Sequence, residues 1–243
     1  MIHYRATIAY TGNTFYGFKQ TAIGPTVQGE LQRALEQVFR HPVVVEGASL
    51  TDRGVHAEGQ VIQFASPKAI DPYKLLASLR GLLPKTIAPL DVQTAPRSFH
   101  PSLDATHKEY HYTISNRPSQ LPVDLEFAWH IPLPLCQSKM EKAIPQLLGR
   151  HDFSTFSNQT YEDPIRHLMD IDLISVGSGK LRIEITGDRF LYKMVRNLVG
   201  TLAWVGLAKI PFSEVSSILA SLDRRRAGPT APAHGLTLKR VYY

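Results

Sequence analysis

Apolar and polar positions alternate from the start of the chain. Ile2, Tyr4, Ala6, Ile8 and Tyr10 interleave with His3, Arg5, Thr7 and Ala9, the period of a half-buried strand, and Thr11-Gly12-Asn13 ends it. Between residues 26 and 39 the period lengthens. Val27, Leu31, Ala34, Leu35 and Val38 recur at helical spacing behind Thr26, a residue suited to an N-cap, which predicts a helix packed on one face. Residues 43–45 and 61–64 read as short strands, and the polar, glycine-containing run 47–59 between them reads as an exposed loop.

After a proline-punctuated stretch, 67–101, the alternation resumes with Tyr110, Tyr112 and Ile114 against His111 and Thr113. Residues 139–148 predict a helix, 171–176 and 181–186 predict strands about Gly177-Ser178-Gly179, and 190–205 predict a longer helix. A boundary near Ala105 divides the chain into an N-terminal α+β domain, 1–105, and a C-terminal α+β domain, 106–243. No direct sequence repeat links the halves. Runs of strands and helices without regular βαβ alternation predict α+β architecture with antiparallel sheets.

A chain of 243 residues buries a real core in one large or two small domains. Lys and Arg number 27 against 21 Asp and Glu, a formal charge of +6 that favours a polyanionic partner, nucleic acid first. The excess is spread along the chain, 10 basic against 8 acidic residues up to Ala105 and 17 against 13 after it, so a folded surface rather than a basic tail supplies the field. Cys136 is the sole cysteine, which excludes an internal disulfide and a Cys-rich zinc cage and reads as a buried, inert thiol. The first residues lack the signature of a signal peptide and no apolar run reaches membrane-spanning length, so a cytoplasmic location is expected. Gly12 and Gly17 follow the first strand at a spacing that fits neither a dinucleotide loop nor a P-loop, and no nucleotide cofactor is expected.

The densest polar cluster is Gly47-Ala48-Ser49-Leu50-Thr51-Asp52-Arg53-Gly54-Val55-His56-Ala57. Its carboxylate, Asp52, is either a nucleophile held ionised by a neighbouring cation or a turn residue bonding its own backbone. Asp52 and His56 as metal ligands lack a third partner at ligand spacing, so His56 reads as structural and no metal is expected. On the predicted helix, Arg189, Lys193, Arg196 and Gly200 step four, three and four positions, which puts three cations on one face while Gly200 permits close approach of another backbone. Asp223-Arg224-Arg225-Arg226 is a second basic cluster, a phosphate contact or a charged helix end. Tyr4, Tyr10, Phe15, Tyr16, Phe18, Tyr110 and Tyr112 are core aromatics or platforms for unpaired bases.

The loop 47–57 resembles the catalytic segment of the tRNA pseudouridine synthase A (TruA) family, whose pattern is G-A-x-R-T-D-x-G-V-H-A. Similar segments follow in family order: Tyr10-Thr11-Gly12, Tyr16-Gly17-Phe18, Phe99-His100, Lys108-Glu109-Tyr110-His111-Tyr112, Gly149-Arg150-His151-Asp152-Phe153, Met194-Val195-Arg196-Asn197 and the run from Ala227 to Ala233. The resemblance implies a cofactor-free, metal-free isomerase that converts uridine to pseudouridine in the anticodon stem-loop, at tRNA positions 38 to 40. It implies two pseudo-symmetric α+β domains whose antiparallel sheets flank a basic RNA-binding cleft, and a homodimer that takes tRNA across both subunits. Asp52 matches the catalytic aspartate, Tyr110 the tyrosine that stacks on the base, and Arg196 the arginine paired with the aspartate. Leu50, Thr51, Arg53, His56, Arg189 and Lys193 are the expected substrate-binding residues.

The chain departs from the family pattern at Leu50, where the family has an arginine associated with flipping the target base, and Arg53 stands three residues on. Pro101-Ser102 replaces Ala-Arg and Phe18 a tryptophan. The competing function is a tRNA-binding or folding protein with weakened catalysis. A DNA-binding protein is the weaker alternative, because no helix-turn-helix or zinc-finger pattern is present.

Overall fold

The computed structural model describes all residues, 1–243, and separates into two compact units, residues 1–106 with 237–243 and residues 107–236. In the first unit β1 (Ile2–Tyr10) buries every second side chain from Tyr4 to Tyr10, as its alternation demands. α1 (Val27–Phe39) begins where Thr26 accepts a hydrogen bond from the Gly29 N–H, and ends where Arg40 takes the left-handed conformation and donates its N–H to the Glu36 carbonyl. β2 (Glu46–Gly47) and β3 (His56–Ser66) follow, antiparallel to each other, then α2 (Pro72–Leu82) and β4 (Ile87–Ala95). β1 lies between β3 and β4, antiparallel to both. Tyr4 stacks on Phe64 at 5.3 Å and tilts against Phe39 at 6.0 Å, so strand and helix aromatics share one core with Leu31, Leu35, Leu75 and Leu79.

Residues 43–45 form no strand. The backbone groups of Val45 are taken by α1 instead: Gln28 Nε2 donates to the Val45 carbonyl at 2.7 Å, and the Val45 N–H donates to Gln32 Oε1 at 3.2 Å. The stretch 67–101 holds a helix and a strand, α2 and β4, that its prolines conceal. Pro72 occupies the first turn of α2, where its missing N–H costs nothing, behind an Asp71 cap that accepts from the Lys74 N–H. Pro89 sits in β4 where the register with β1 shifts, a position that asks for no ladder donor.

In the second unit β5 (His107–Ser115) is followed by β6 (Trp129–His130), α3 (Gln137–Ala143), β7 (Gly149–Asp152), β8 (Ile165–Ser175), β9 (Lys180–Gly187), α4 (Met194–Gly206) and α5 (Val215–Ala220). The order β5-β9-β8-β7 is antiparallel, with β6 parallel to β5 at its end. α3 is shorter than the span 139–148, because Pro145 converts the continuation into a 3-10 turn, Ile144–Gln146. The chain then returns to the first unit through β10 (Leu236–Tyr242), which runs parallel to β3 with Thr237 opposite His56. Each unit therefore mixes antiparallel ladders with one parallel pair, which corrects the expectation of purely antiparallel sheets. Helices and sheets are both present in both units, so the class is α+β.

Candidate active site

Asp52 opens a four-residue turn whose last N–H, from Val55, returns to the Asp52 carbonyl at 3.1 Å. Gly54 supplies the positive φ, 83°, that the turn requires. The stem below is held from several directions. Ala48 N–H donates to the Val61 carbonyl, and Gln60 brackets Ser49, accepting its N–H at 3.1 Å and donating to its carbonyl at 2.6 Å. Buried Thr51 shares a 2.6 Å hydrogen bond with the Tyr10 hydroxyl, and its carbonyl accepts the Phe18 N–H at 3.0 Å. The segment after β1 presses against the turn so closely that a Cβ on Gly12 would stand 2.1 Å from the Val55 carbonyl oxygen. Phe18, fully buried, packs its ring on the backbone at Gly47, where a Cβ would lie 2.5 Å from it.

This rigid cradle leaves the turn itself accessible. Asp52 is half-buried, Arg53 is exposed and Leu50 is 61% exposed. Arg53 lies over the Tyr16 ring, its guanidinium carbon 4.3 Å from the centroid. His56 is buried and turns Nδ1 to accept the Gly12 N–H at 3.1 Å, which fixes the loop's exit into β3. Thr51 and His56 thus spend these polar atoms on the scaffold, whereas Leu50 and Arg53 face solvent.

In the second unit Lys108, Tyr110 and Tyr112 point to the buried face of β5. Tyr110 meets Phe190 edge-on, centroids 5.2 Å apart at 86°. Tyr112 donates to the Pro232 carbonyl at 2.8 Å, and burial pushes its hydroxyl far above the ordinary tyrosine value. Burial, then the neighbouring Arg189 charge, pulls the Lys108 ammonium down to about 8. The other face of β5 carries an acid–base network: His111 Nε2 is 2.7 Å from Glu109 Oε1 and 3.7 Å from Glu184 Oε1, and Arg182 Nε donates to Glu184 at 2.7 Å. Glu109, His111 and Glu184 bring three donor atoms within 4.8 Å of one another, a cluster that the sequence reading missed.

α4 starts at Met194, not at residue 190, because Lys193 adopts the left-handed conformation at φ 61°. Arg189 and Lys193 therefore lie outside the helix, and the expected cationic stripe is not a helical face. Arg189 is exposed, 4.0 Å from Asp163, and Lys193 places its ammonium 4.8 Å from the Tyr192 ring centroid. Arg196 stays on the helix, half-buried, with Nε donating to the Ala231 carbonyl at 2.7 Å and its own carbonyl accepting the Ala231 N–H at 3.1 Å. The segment 227–231 lies flat on α4 here. A Cβ on Gly200 would sit 1.7 Å from the Pro229 carbonyl oxygen, and one on Gly228 would sit 2.6 Å from the Thr201 Cα.

The same junction explains Asn197, to which sequence reasoning gave no role, and redefines Arg224, which it read as a phosphate contact or a charged helix end. Buried Asn197 donates to the Phe156 carbonyl and to Asn158 Oδ1, while its oxygen accepts from Arg224 and from the Thr230 hydroxyl at 2.6 Å. Arg224 also donates to the Gly228 carbonyl at 2.8 Å, which makes it a brace of the fold, while Arg225 pairs with Asp223 and holds that carboxyl down at about 2. The available signal was Asn197 and Thr201, a polar pair four residues apart in a helix whose only other polar side chain is Arg196. Cys136 is half-exposed ahead of α3 rather than buried, and a hydrogen bond to Ser138 lowers its thiol from the ordinary value.

No helix is long and apolar enough to cross a membrane. A family model described as tRNA pseudouridine synthase matches residues 6–102 and 143–243. A protein named tRNA pseudouridine synthase A 2 from Protochlamydia amoebophila is 44% identical, the match covering 100% of this chain and 95% of the relative. Proteins named tRNA pseudouridine synthase A from Methylacidiphilum infernorum and from a Thermoanaerobacter species are 37% and 40% identical, over 100% and 97% of this chain and 96% and 97% of theirs. Among solved structures the likeness is loose: a Cbf5-Nop10-Gar1 complex is 10% identical with a TM-score of 0.39, over 97% of this chain and 49% of that one. With both of its units matched and with relatives aligned from end to end, the chain belongs to the tRNA pseudouridine synthase family, a family of isomerases.

Proposed function

We propose that this protein isomerises uridine to pseudouridine in the anticodon stem-loop of tRNA, at positions 38 to 40, with Asp52 as the nucleophile. The observation that carries the reading is the seating of Asp52. Its turn is accessible while the residues on either side are locked by Thr51–Tyr10, Gln60–Ser49 and His56–Gly12 contacts, so a carboxylate is presented on a rigid base. In the proposed reaction Asp52 attacks the extruded nucleotide, at the sugar or at the base, and the bond from C1′ to N1 breaks. The uracil turns, C1′ bonds to C5, and the bond from Asp52 to the nucleotide breaks, which returns the carboxylate. The C5 proton leaves and N1 takes one up, so nothing is gained or lost overall. In this reading Tyr110 holds the base and takes part in removing the C5 proton, and Arg196 is the arginine that serves the catalytic carboxylate. Leu50, Thr51, Arg53, His56, Arg189 and Lys193 complete the substrate-binding set, with Thr51 and His56 acting by positioning the loop.

Extruding a base from a stem-loop costs a few kcal/mol, which contacts to phosphate and neighbouring bases must offset. The proposal places the enzyme in the cytoplasm as a homodimer, and the exposed apolar side chains of Val123, Leu125 and Phe127 suit burial against a second copy. One feature favours a second reading, a tRNA-binding or folding protein with weakened catalysis: the solvent-facing side chain at position 50 is an aliphatic one.

Purified protein and its Asp52→Ala variant are incubated with unmodified tRNA transcripts, and pseudouridine is mapped at nucleotide resolution. The expected result is product in the anticodon stem-loop with the wild type and none with Asp52→Ala, which still binds tRNA. Turnover by the variant refutes the nucleophile, and tight tRNA binding by a wild type that forms no product selects the second reading.

A further inference from the structure

We propose that Tyr16 and Arg53 form a stacking platform for an RNA base adjoining the target uridine, a role that rests on the pseudouridine synthase reading. Tyr16 is fixed from behind. Its N–H donates to the Pro25 carbonyl at 2.8 Å, and the backbone at Gly24 lies against its ring so tightly that a Cβ there would stand 2.6 Å from two ring carbons. Over the same ring the Arg53 guanidinium carbon sits 4.3 Å from the centroid.

Arg53 belongs to the Asp52–Val55 turn and is the residue next to the carboxylate, so the platform adjoins the proposed nucleophile. Both members are exposed, Tyr16 by 37%. A planar guanidinium laid on one aromatic ring offers its second face to another π-surface, and in RNA recognition unpaired bases stack on arginine planes and aromatic rings. A free loop arginine would lose much rotamer entropy on binding. Here its position over the Tyr16 ring limits that freedom beforehand. Leu50, in the same loop and 61% exposed, supplies an apolar edge that fits beside a base and carries no charge for phosphate. The alternative use of Arg53 is a point charge for a phosphate oxygen, and chemistry separates the two, because lysine keeps the charge and loses the plane.

Dissociation constants are measured for an anticodon stem-loop RNA and for two versions with an abasic nucleotide immediately 5′ or 3′ of the target uridine. The proteins are wild type, Arg53→Lys, Arg53→Gln and Tyr16→Leu, each checked by circular dichroism for native fold. Loss of one stacked base weakens binding on the order of tenfold. The platform predicts that loss for Arg53→Lys and for Tyr16→Leu on the intact RNA, and no further loss on one of the abasic RNAs. Wild-type affinity of Arg53→Lys with weakened binding by Arg53→Gln identifies a phosphate contact and overturns the proposal. Losses from Arg53→Lys and from both abasic RNAs that multiply also overturn it. A wild type that neither binds the stem-loop nor forms pseudouridine refutes the synthase reading itself, an outcome distinct from a binding wild type whose Arg53→Lys and Arg53→Gln variants both bind as tightly as it does, which overturns the platform alone.

Discussion

Gly200→Ala tests whether the junction that seats Arg196 depends on the absence of one methyl group. The new Cβ would stand 1.7 Å from the Pro229 carbonyl oxygen and 2.8 Å from its carbon. Carbon and oxygen settle at about 3.3 Å even in close C–H···O contacts, so the segment carrying Pro229 must retreat by about 1.6 Å. That shift cannot preserve the Ala231 N–H to Arg196 carbonyl bond at 3.1 Å and the Gly228 N–H to Thr201 Oγ1 bond at 2.9 Å. Two such bonds contribute about 1 kcal/mol each, and residual overpacking costs about 1–3 kcal/mol more. Replacing a helical glycine by alanine returns about 1 kcal/mol. The net loss is about 2–4 kcal/mol, and a chain of this size loses about 2–4 °C of Tm per kcal/mol, so Tm falls by roughly 4–16 °C. Gly81→Ala is the matched control. It too lies in a helix, α2, but its Cβ would meet nothing within 4 Å, and it raises stability by up to about 1 kcal/mol. Thermal melts of both variants decide the matter. A Gly200→Ala protein as stable as wild type, beside a stabilised Gly81→Ala, would show that segment 227–231 yields freely and that Arg196 is not held by it.

Leu50→Arg is expected to change rate or target choice with little effect on stability, about 0.5 kcal/mol or less for an exposed loop position. Turnover at each stem-loop uridine reads it, and identical rates throughout would remove Leu50 from the functional account. Lys108, held at about 8 by burial and Arg189 against an ordinary 10.5, lends itself to a pH test. Below pH 8 both folded and unfolded chains carry its proton and the folded state bears the full cost. Between 8 and 10.5 the unfolded chain binds more protons, so this lysine's penalty shrinks as pH rises through that window. Lys108→Met is therefore more stable than wild type at pH 7, and the difference narrows toward pH 10.5. Urea denaturation at the two ends of the range checks this, and a gap that does not change with pH contradicts it.

What the sequence displayed and what it concealed divide along physical lines. β1, α1 and β5 were legible because each buries one face, so its period is written in side-chain polarity. α2 and β4 were hidden by proline, which marks a break in most contexts but at Pro72 begins a helix and at Pro89 sits at a register shift. Residues 43–45 have strand-like composition, yet Gln28 and Gln32 of α1 claim the backbone of Val45, a competition between side chain and ladder that no local pattern reports. β10 joins the first unit by two parallel pairs that span most of the chain, and only tertiary structure reveals such a return. The candidate site follows the same division. The density of polar residues around Asp52 was visible and His56 read as structural, whereas the scaffold role of Thr51 was not visible. Composition treats Thr51 and Arg53 alike as polar loop residues. Structure separates them by where their polar atoms go: Thr51 to Tyr10, and Arg53 onto an exposed ring. A loop can present one carboxylate precisely only if most of its polar groups are committed elsewhere. In this loop, therefore, the exposed Leu50 and Arg53 flank the half-buried Asp52, and these positions are where substitutions are expected to alter chemistry before they alter folding.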